Sequence, residues 1–359
     1  MKKKIIFTTG GTGGHIFPTI NLMKHFHDKG NEVILVTDSR GKNFIKDHAE
    51  FKSYIIKTST LTNKNILRKC LALIVIFYSI FKSMIIIKKE SPDLIFGFGG
   101  YVSFPISFAS KLFNLPLVIY EINVVFGRSN RFLSKFAKKI FIAKKMSLNF
   151  EAKHRNKTFE VGTILNKNIL NFSRNHEIKK KDYFTIFVLG GSQGTEVFGS
   201  IVPPVINQLK NKGYKVEVIQ QCLKEQKNSI IKFYNKNEIK HKIFEFNKSI
   251  FDLILSSDLA ITRCGASTTA ELVHIATPFI AVPLPNSIDD HQFLNAKYYE
   301  NKGCCFLLEQ KNFNVKNLFN LIEKYIKDQK KLDIIRQNMK KNYNKNVYAD
   351  IENQLKEFI

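Results

Sequence analysis

The feature that most constrains this chain is a strand-like apolar run that ends on paired glycines and gives way to a helix-like pattern, and it occurs twice. IIFTTGGTGG spans Ile5–Gly14 and TIFVLGGSQG spans Thr185–Gly194. Runs rich in Ile, Val, Phe and Thr favour buried parallel strands, and glycines directly after them let the backbone turn tightly beside a ligand. One such segment opens a doubly wound α/β domain. At 359 residues the chain exceeds one ordinary core and suits two. The expected fold class is therefore α/β, with two Rossmann-like, doubly wound domains. The loops Gly10–Gly14 and Gly190–Gly194 are expected to face each other across an interdomain cleft.

The rest of the pattern agrees. Strand-like runs at Lys4–Thr9, Glu32–Val36, Asp93–Phe96, Leu117–Tyr120 and Lys139–Ile142 alternate with helix-like segments such as Ile16–Lys29. Such alternation predicts a parallel sheet covered on both faces. Leu170–Asp182, LNFSRNHEIKKKD, is polar and charged and reads as a linker. Strand-like runs resume at Val216–Ile219, Asp258–Ile261, Phe279–Val282 and Cys304–Leu308, and the Lys-rich stretch from Asn312 reads as helical throughout. Domains are expected over residues 1–165 and 166–359, with the last helix packing back toward the first domain.

The formal net charge of +26 raises the question of a polyanionic partner. Only eight of the 56 basic residues are Arg, and base readers lean on the bidentate guanidinium. No nucleic-acid partner is expected; an anionic membrane surface uses this charge better. The five cysteines are odd in number, without CxxC or zinc spacing, and fit a reducing cytosol. The N-terminal apolar run IIFTT is too short for a signal-peptide core.

Ile66–Lys89, ILRKCLALIVIFYSIFKSMIIIKK, is the most apolar part of the chain. Its uncharged run, Cys70–Phe81, falls short of the about 20 residues that span a bilayer. A buried helix, an interfacial helix flanked by Arg68, Lys69, Lys88 and Lys89, and a true span all remain open.

The chemistry gathers at strand ends. GGTGGH, Gly10–His15, joins a strand to a helix, where glycine N–H groups and the helix dipole suit an anion. It is neither GxGxxG nor a Walker loop, so neither a dinucleotide nor an ordinary P-loop reading follows. His15 reads either as a base or phosphate-side donor, or as a packed or capping histidine. FGFGGYVSFP, Phe96–Pro105, is a second glycine-rich strand end. YEIN, Tyr120–Asn123, puts Glu121 and Asn123 at the sheet's carboxyl edge, where open α/β sheets bind ligands. GGSQG, Gly190–Gly194, offers Ser192. In TRCGASTTAEL, Thr262–Leu272, small and hydroxyl residues open a helix that suits a diphosphate, and Glu271 is able to accept two ribose hydroxyls. DDHQ, Asp289–Gln292, follows the next strand; adjacent aspartates are poorly spaced for a bidentate metal site, so no metal and no cofactor is expected.

GGTGGHIFP, FGFGGYVSFP, YEIN, GGSQG, RCGASTTAEL and DDHQ occur in this order over nearly the whole chain. Each is weak alone and specific in combination. The chain resembles glycosyltransferase family 28, of GT-B fold, and within it the UDP-GlcNAc-dependent N-acetylglucosaminyltransferases of bacterial peptidoglycan synthesis. The resemblance implies a UDP-GlcNAc donor, an undecaprenyl-diphosphate-linked MurNAc-pentapeptide acceptor and inversion at the anomeric carbon. It implies a peripheral position on the cytoplasmic face of the inner membrane, with cell-wall synthesis proteins as further partners. Residues 1–165 would bind the acceptor and face the membrane, and residues 166–359 would bind the donor.

Carried onto this chain, the resemblance assigns Thr12, Gly13 and Gly14 to donor contacts of the first domain and His15 to the loop histidine. Asn123 matches the asparagine of the family's HEQN segment, and Ser192 a serine near the diphosphate. Ala266, Ser267, Thr268, Thr269, Ala270 and Glu271 match the helix that holds phosphates and ribose. Gln292 matches a glutamine near GlcNAc, and Asn247 a backbone contact to uracil. Two departures stand out: YEIN replaces HEQN, and Gly162–Asn166 reads GTILN where the family has GNPVR, so Asn166 replaces an arginine expected to touch the donor. For an in-line displacement, His15 is the first candidate base and Glu121 the second.

Overall fold

A computed structural model of the chain describes all residues except 1, 12, 46, 47, 49, 61–64, 146–149, 173–181, 192–194, 248 and 249. The chain divides into two compact units, Met1–Asn166 with Asn344–Ile359, and Lys167–Tyr343.

The first unit runs β1 (Lys4–Thr8), α1 (Gly13–Asp28), β2 (Glu32–Thr37), α2 (Ser39–Phe44), β3 (Lys52–Ile55), α3 (Ile66–Glu90), β4 (Leu94–Gly97), α4 (Gly100–Leu112), β5 (Leu117–Glu121), α5 (Arg128–Leu133), β6 (Lys139–Ile142) and β7 (Thr158–Glu160). Its strands are parallel in the order β3-β2-β1-β4-β5-β6-β7. Ile6 sits between Ile34 and Ile95 in register, and all three are fully buried. A strand flanked by strands and covered by helices must be apolar on both faces, which is why β1 and β4 read as unbroken apolar runs. The order reverses between β1 and β4, and the carboxyl ends on either side of that point are where such sheets bind ligands.

The second unit runs α6 (Lys167–Leu170), β8 (Phe184–Leu189), α7 (Glu196–Asn211), β9 (Val216–Gln221), α8 (Lys224–Lys236), β10 (Lys240–Phe244), α9 (Phe251–Leu255), β11 (Leu259–Thr262), α10 (Ala266–Ile275), β12 (Phe279–Ala281), α11 (His291–Glu300), β13 (Phe306–Leu307), α12 (Val315–Lys327) and α13 (Gln329–Lys340). Its parallel sheet has the order β10-β9-β8-β11-β12-β13, reversing between β8 and β11.

The stretch from Asn312 is not one continuous helix. It breaks at Asp328 and again after Lys340, before α14 (Val347–Leu355), which belongs to the first unit. There Tyr348 Oη donates to the Leu165 carbonyl at 2.6 Å, Asn344 Nδ2 donates to the Val161 carbonyl at 3.0 Å, and His25 Nε2 lies 2.6 Å from Glu352 Oε1. These polar contacts join the returning segment to β1–β7 and α1.

Helix α3 places its residues in an unusual way. It starts where Asn65 Oδ1 accepts the Arg68 N–H at 3.0 Å, a side-chain cap for an otherwise unpaired donor. The face turned into the unit carries small residues, Ala72, Ser79 and Ser83, and each serine hydroxyl donates to a carbonyl one turn back. The large residues turn outward: Ile74 is 64% exposed, Phe77 68% and Phe81 60%. Only 28% of its most apolar window is buried. A buried core helix would show the opposite arrangement.

Candidate active site

The first unit gathers its glycine loops at the β1/β4 switch point. A side chain at Gly10 would lie 2.4 Å from the Val102 methyl, so the first loop closes on the start of α4 only because that position is glycine. Gly99 and Gly100 both take positive φ, 76° and 74°, which turns the chain directly from β4 into α4. Gly13 begins α1, so Gly14 and His15 lie in its first turn, where helix N–H groups lack intrahelical acceptors. His15 is partly exposed, and its carbonyl accepts from Thr19 Oγ1 at 2.8 Å. Thr12 lies outside the described residues. Asp38 directly follows β2, at the place where a dinucleotide fold puts a ribose-binding acid. Here its Oδ1 accepts the Gly41 N–H at 2.8 Å and its Oδ2 pairs with Arg40 Nε at 3.1 Å. It caps α2.

Glu121, the second candidate base, has both carboxylate oxygens engaged. It is 2% exposed, and its two oxygens accept four hydrogen bonds. Oε1 takes the Asn123 N–H and Asn123 Nδ2, both at 3.1 Å; Oε2 takes the Gly127 N–H at 3.0 Å and Asn130 Nδ2 at 2.9 Å. A carboxylate saturated in this way holds the β5–α5 loop and has no lone pair directed at a substrate. Asn123 is therefore set by Glu121 at the sheet edge.

The two departures from the family pattern meet. The buried Tyr120 hydroxyl, which desolvation keeps protonated, donates to the Gly162 carbonyl at 3.0 Å and accepts the Ile164 N–H at 3.2 Å. A proline at 164, as in GNPVR, has no N–H to give. In this chain the Tyr120 hydroxyl joins the two segments that depart from the pattern. Asn166 follows as an exposed residue at the end of the first segment of this unit, an uncharged amide where the resemblance puts an arginine.

In the second unit, Gly190 follows β8 and its N–H donates to Gln221 Oε1 at 3.0 Å, fixing the start of the GGSQG loop; Ser192 lies outside the described residues. Helix α10 begins at Ala266 behind Gly265, and no side chain caps it. An uncapped N-terminus at a switch point is a site for an anion. Ser267 and Thr268 are partly exposed in this first turn, whereas Ala266 and Ala270 are buried small residues. Thr269 departs from the expectation of a ligand hydroxyl. It is fully buried, and its Oγ1 donates to the carbonyls of Gly265 and Ala266, each at 3.1 Å.

Glu271 is partly exposed, and desolvation raises its carboxyl pKa to about 7. Its carboxylate has no hydrogen-bond or ion-pair partner among the described residues. Gln292 is held by its carbonyl: Oε1 accepts the N–H groups of Cys264 at 3.1 Å and Leu284 at 3.0 Å, which turns its amide into the donor end. Asn247 follows β10 and is partly exposed. The sequence reading passed over Arg263, two residues before Gly265, which is buried and donates to four acceptors. The signal was present as an arginine inside an otherwise small and apolar segment.

Residues 5–142 match the glycosyltransferase family 28 N-terminal domain, and residues 185–355 match the glycosyltransferase family 28 C-terminal domain. The chain belongs to glycosyltransferase family 28. It is 35% identical over 341 residues, 95% of this chain and 94% of the relative, to the UDP-N-acetylglucosamine--N-acetylmuramyl-(pentapeptide) pyrophosphoryl-undecaprenol N-acetylglucosamine transferase of Pelagibacter ubique. It is 34% identical over 343 residues to the transferase of the same name from Rickettsia bellii, covering 94% of this chain and 95% of the relative. The crystal structure of Acinetobacter baumannii MurG superposes with a TM-score of 0.82 at 24% identity, over 99% of this chain and 100% of that one. Staphylococcus aureus MnaA, solved with UDP, gives a TM-score of 0.70 at 15% identity, over 100% of this chain and 97% of that one. The family 28 chain thus has the GT-B fold, two Rossmann-like domains built on parallel sheets.

Proposed function

We propose that this family 28 chain transfers GlcNAc from UDP-GlcNAc to the C4 hydroxyl of MurNAc in undecaprenyl-diphosphate-linked MurNAc-pentapeptide, with inversion, in peptidoglycan synthesis. The observation that carries the reading is the uncapped start of α10 with the unpartnered Glu271 carboxyl one turn further on. It stands in a chain that matches, over nearly its full length, relatives named for this transfer.

In the second unit, the start of α10 and the Gly190–Gly194 loop take the diphosphate, and Glu271 accepts the two ribose hydroxyls. The Gln292 amide donates to GlcNAc, Asn247 lies against uracil, and Ser192 serves the phosphates. In the first unit, Thr12, Gly13, Gly14 and His15 serve the reacting end, with Asn123 beside them on the sheet edge. His15 takes the proton of the C4 hydroxyl as its oxygen bonds to the anomeric carbon. The bond from that carbon to the UDP oxygen breaks on the opposite face, and UDP leaves as an anion stabilised by helix and loop N–H groups. Purified protein should release UDP only when donor and lipid acceptor are both present, measured by coupled nucleotide release. Turnover of UDP-GlcNAc without acceptor would redirect the assignment to an epimerase or hydrolase of the same fold. No UDP release with both substrates would leave a lipid-binding protein without catalysis.

The acceptor is a lipid, and α3 suits its location. The outward stripe of Ile74, Phe77 and Phe81, with exposed Arg68, Lys69, Lys88 and Lys89 at its ends, fits a helix lying in an anionic cytoplasmic leaflet. Reversing Lys88 and Lys89 to Glu should weaken binding to anionic vesicles about tenfold or more, at about 1 kcal/mol per basic residue near the surface. Sedimentation with neutral and anionic vesicles checks it, and unchanged binding to the anionic ones rejects this orientation.

A further inference from the structure

Arg263 is a buried cation that meets no carboxylate among the described residues of its unit. Its side chain is 5% exposed. Nη1 donates to the carbonyls of Val282 at 3.1 Å and Pro283 at 3.0 Å, and Nη2 donates to Thr195 Oγ1 at 3.0 Å and Gln310 Oε1 at 2.6 Å. The guanidinium carbon lies 5.1 Å from the Phe198 ring centroid, and Nε is buried without a hydrogen-bond partner among the described residues. All four acceptors are neutral, and desolvation pulls the guanidinium pKa downward. A guanidinium taken out of water without an anion is costly, and neutral acceptors offset only part of that cost.

The place of this cation is as telling as its burial. Thr195 closes the loop after β8, Arg263 itself follows β11, Val282 and Pro283 follow β12, and Gln310 lies beyond β13. These are four neighbouring strands of the sheet. One side chain therefore ties together the carboxyl ends of β8, β11, β12 and β13, immediately before the uncapped start of α10. A buried positive charge that lacks an internal anion, at the switch point of a nucleotide-type sheet, is accounted for when the anion is the ligand.

We propose that Arg263 is a positioning residue for the donor diphosphate, holding the four loops in one arrangement and supplying the positive charge that the bound diphosphate completes. The inference rests on the assignment of UDP to the second unit. It separates two contributions that a loop scaffold alone would not: Arg263 acts on the phosphates and leaves the nucleoside alone.

The test compares the dissociation constants of UDP and of uridine, by calorimetry and NMR titration, in the wild-type full chain, Arg263→Met and Arg263→Lys. Arg263→Met is expected to weaken UDP by about 10- to 100-fold through loss of a nearby unit charge in a low-dielectric site, with uridine affinity unchanged within about threefold. The ligand-free melting temperature is expected to move little, since relief of an uncompensated charge is offset by the acceptors left without their donor. Arg263→Lys keeps the charge and should keep the UDP-to-uridine ratio near that of the wild type. Equal losses for UDP and uridine, or no loss for either, overturn the proposal. So does a lost ratio in Arg263→Lys, which also serves as the test if Arg263→Met does not fold. Wild-type protein that binds UDP no better than uridine would instead sink the assignment of the UDP site.

Discussion

Replacing His15 with alanine is expected to lower kcat by about two to four orders of magnitude, the usual contribution of a positioned general base, with the UDP-GlcNAc KM changed only a few fold. The reason lies in where β1 delivers the chain. The strand ends on buried Thr8 and Thr9, Gly10 closes on Val102, and α1 begins at Gly13, so His15 occupies the first helical turn with part of its surface exposed. Imidazole is the side chain whose ordinary titration lies nearest neutrality, which suits it to take a sugar hydroxyl proton. Glu121, the other acid–base group considered at this sheet edge, is committed to Asn123, Gly127 and Asn130. Steady-state kinetics with both substrates varied make the check. A change confined to KM would move His15 to substrate binding, and an active Glu121→Gln variant beside an inactive His15→Ala variant would support the division of roles.

Glu271→Gln should do two opposite things, making the ligand-free protein more stable and the donor site worse. Burial raises the Glu271 pKa to about 7 from its ordinary 4.5. The folded state therefore holds this proton more tightly than the unfolded state. Below the unfolded pKa both states are protonated and burial costs nothing through this group. As pH rises from about 4.5 to about 7 stability is lost, and above that the whole penalty is present, about 1–3 kcal/mol once residual exposure is allowed for. Glutamine mimics the protonated form, so the variant should melt higher than the parent at pH 8 and equally at pH 4.5. Glutamine keeps one oxygen as an acceptor, so loss of one charge-assisted hydrogen bond to the ribose should raise the UDP-GlcNAc KM by about 10- to 100-fold, at about 1.5–3 kcal/mol. Calorimetric melting at the two pH values tests the first half, and no stabilisation at pH 8 would remove the case for a buried ionised carboxylate. Such an opposition of stability and activity is expected where a fold keeps an uncompensated group for its ligand.

What the sequence showed and what it hid divide along physical lines. The central strands were legible because a strand covered on both faces must be apolar along its whole length, as in IIF of β1 and IFVL of β8. The strands that escaped, β3, β7 and β10, lie at sheet edges. Their sequences KSYI, TFE and KHKIF leave one face in water and carry no apolar run. The tail from Asn312 was legible as helical but not in its breaks, because lysine and asparagine are tolerated on either side of a turn. The outward stripe on α3 was open in sequence, since its composition suits burial and exposure alike; the burial of Ala72, Ser79 and Ser83 against the exposure of Ile74, Phe77 and Phe81 decided it.

The site follows the same division. The glycine loops and the Ala266–Glu271 helix start are local: turn chemistry and helix spacing lie within a few residues, so the sequence by itself determined where they fall. The roles of Glu121 and Arg263 were not local. Glu121 loses its freedom to donors up to nine residues away, and Arg263 acquires its place from Thr195, Val282, Pro283 and Gln310 on three other strand ends. The backbone pattern that makes two doubly wound domains is written in side-chain period and turn residues, which each segment carries alone. Which polar groups are saturated and which are left for a ligand depends on hydrogen bonds that close only when the sheets assemble, and only the tertiary structure decided that.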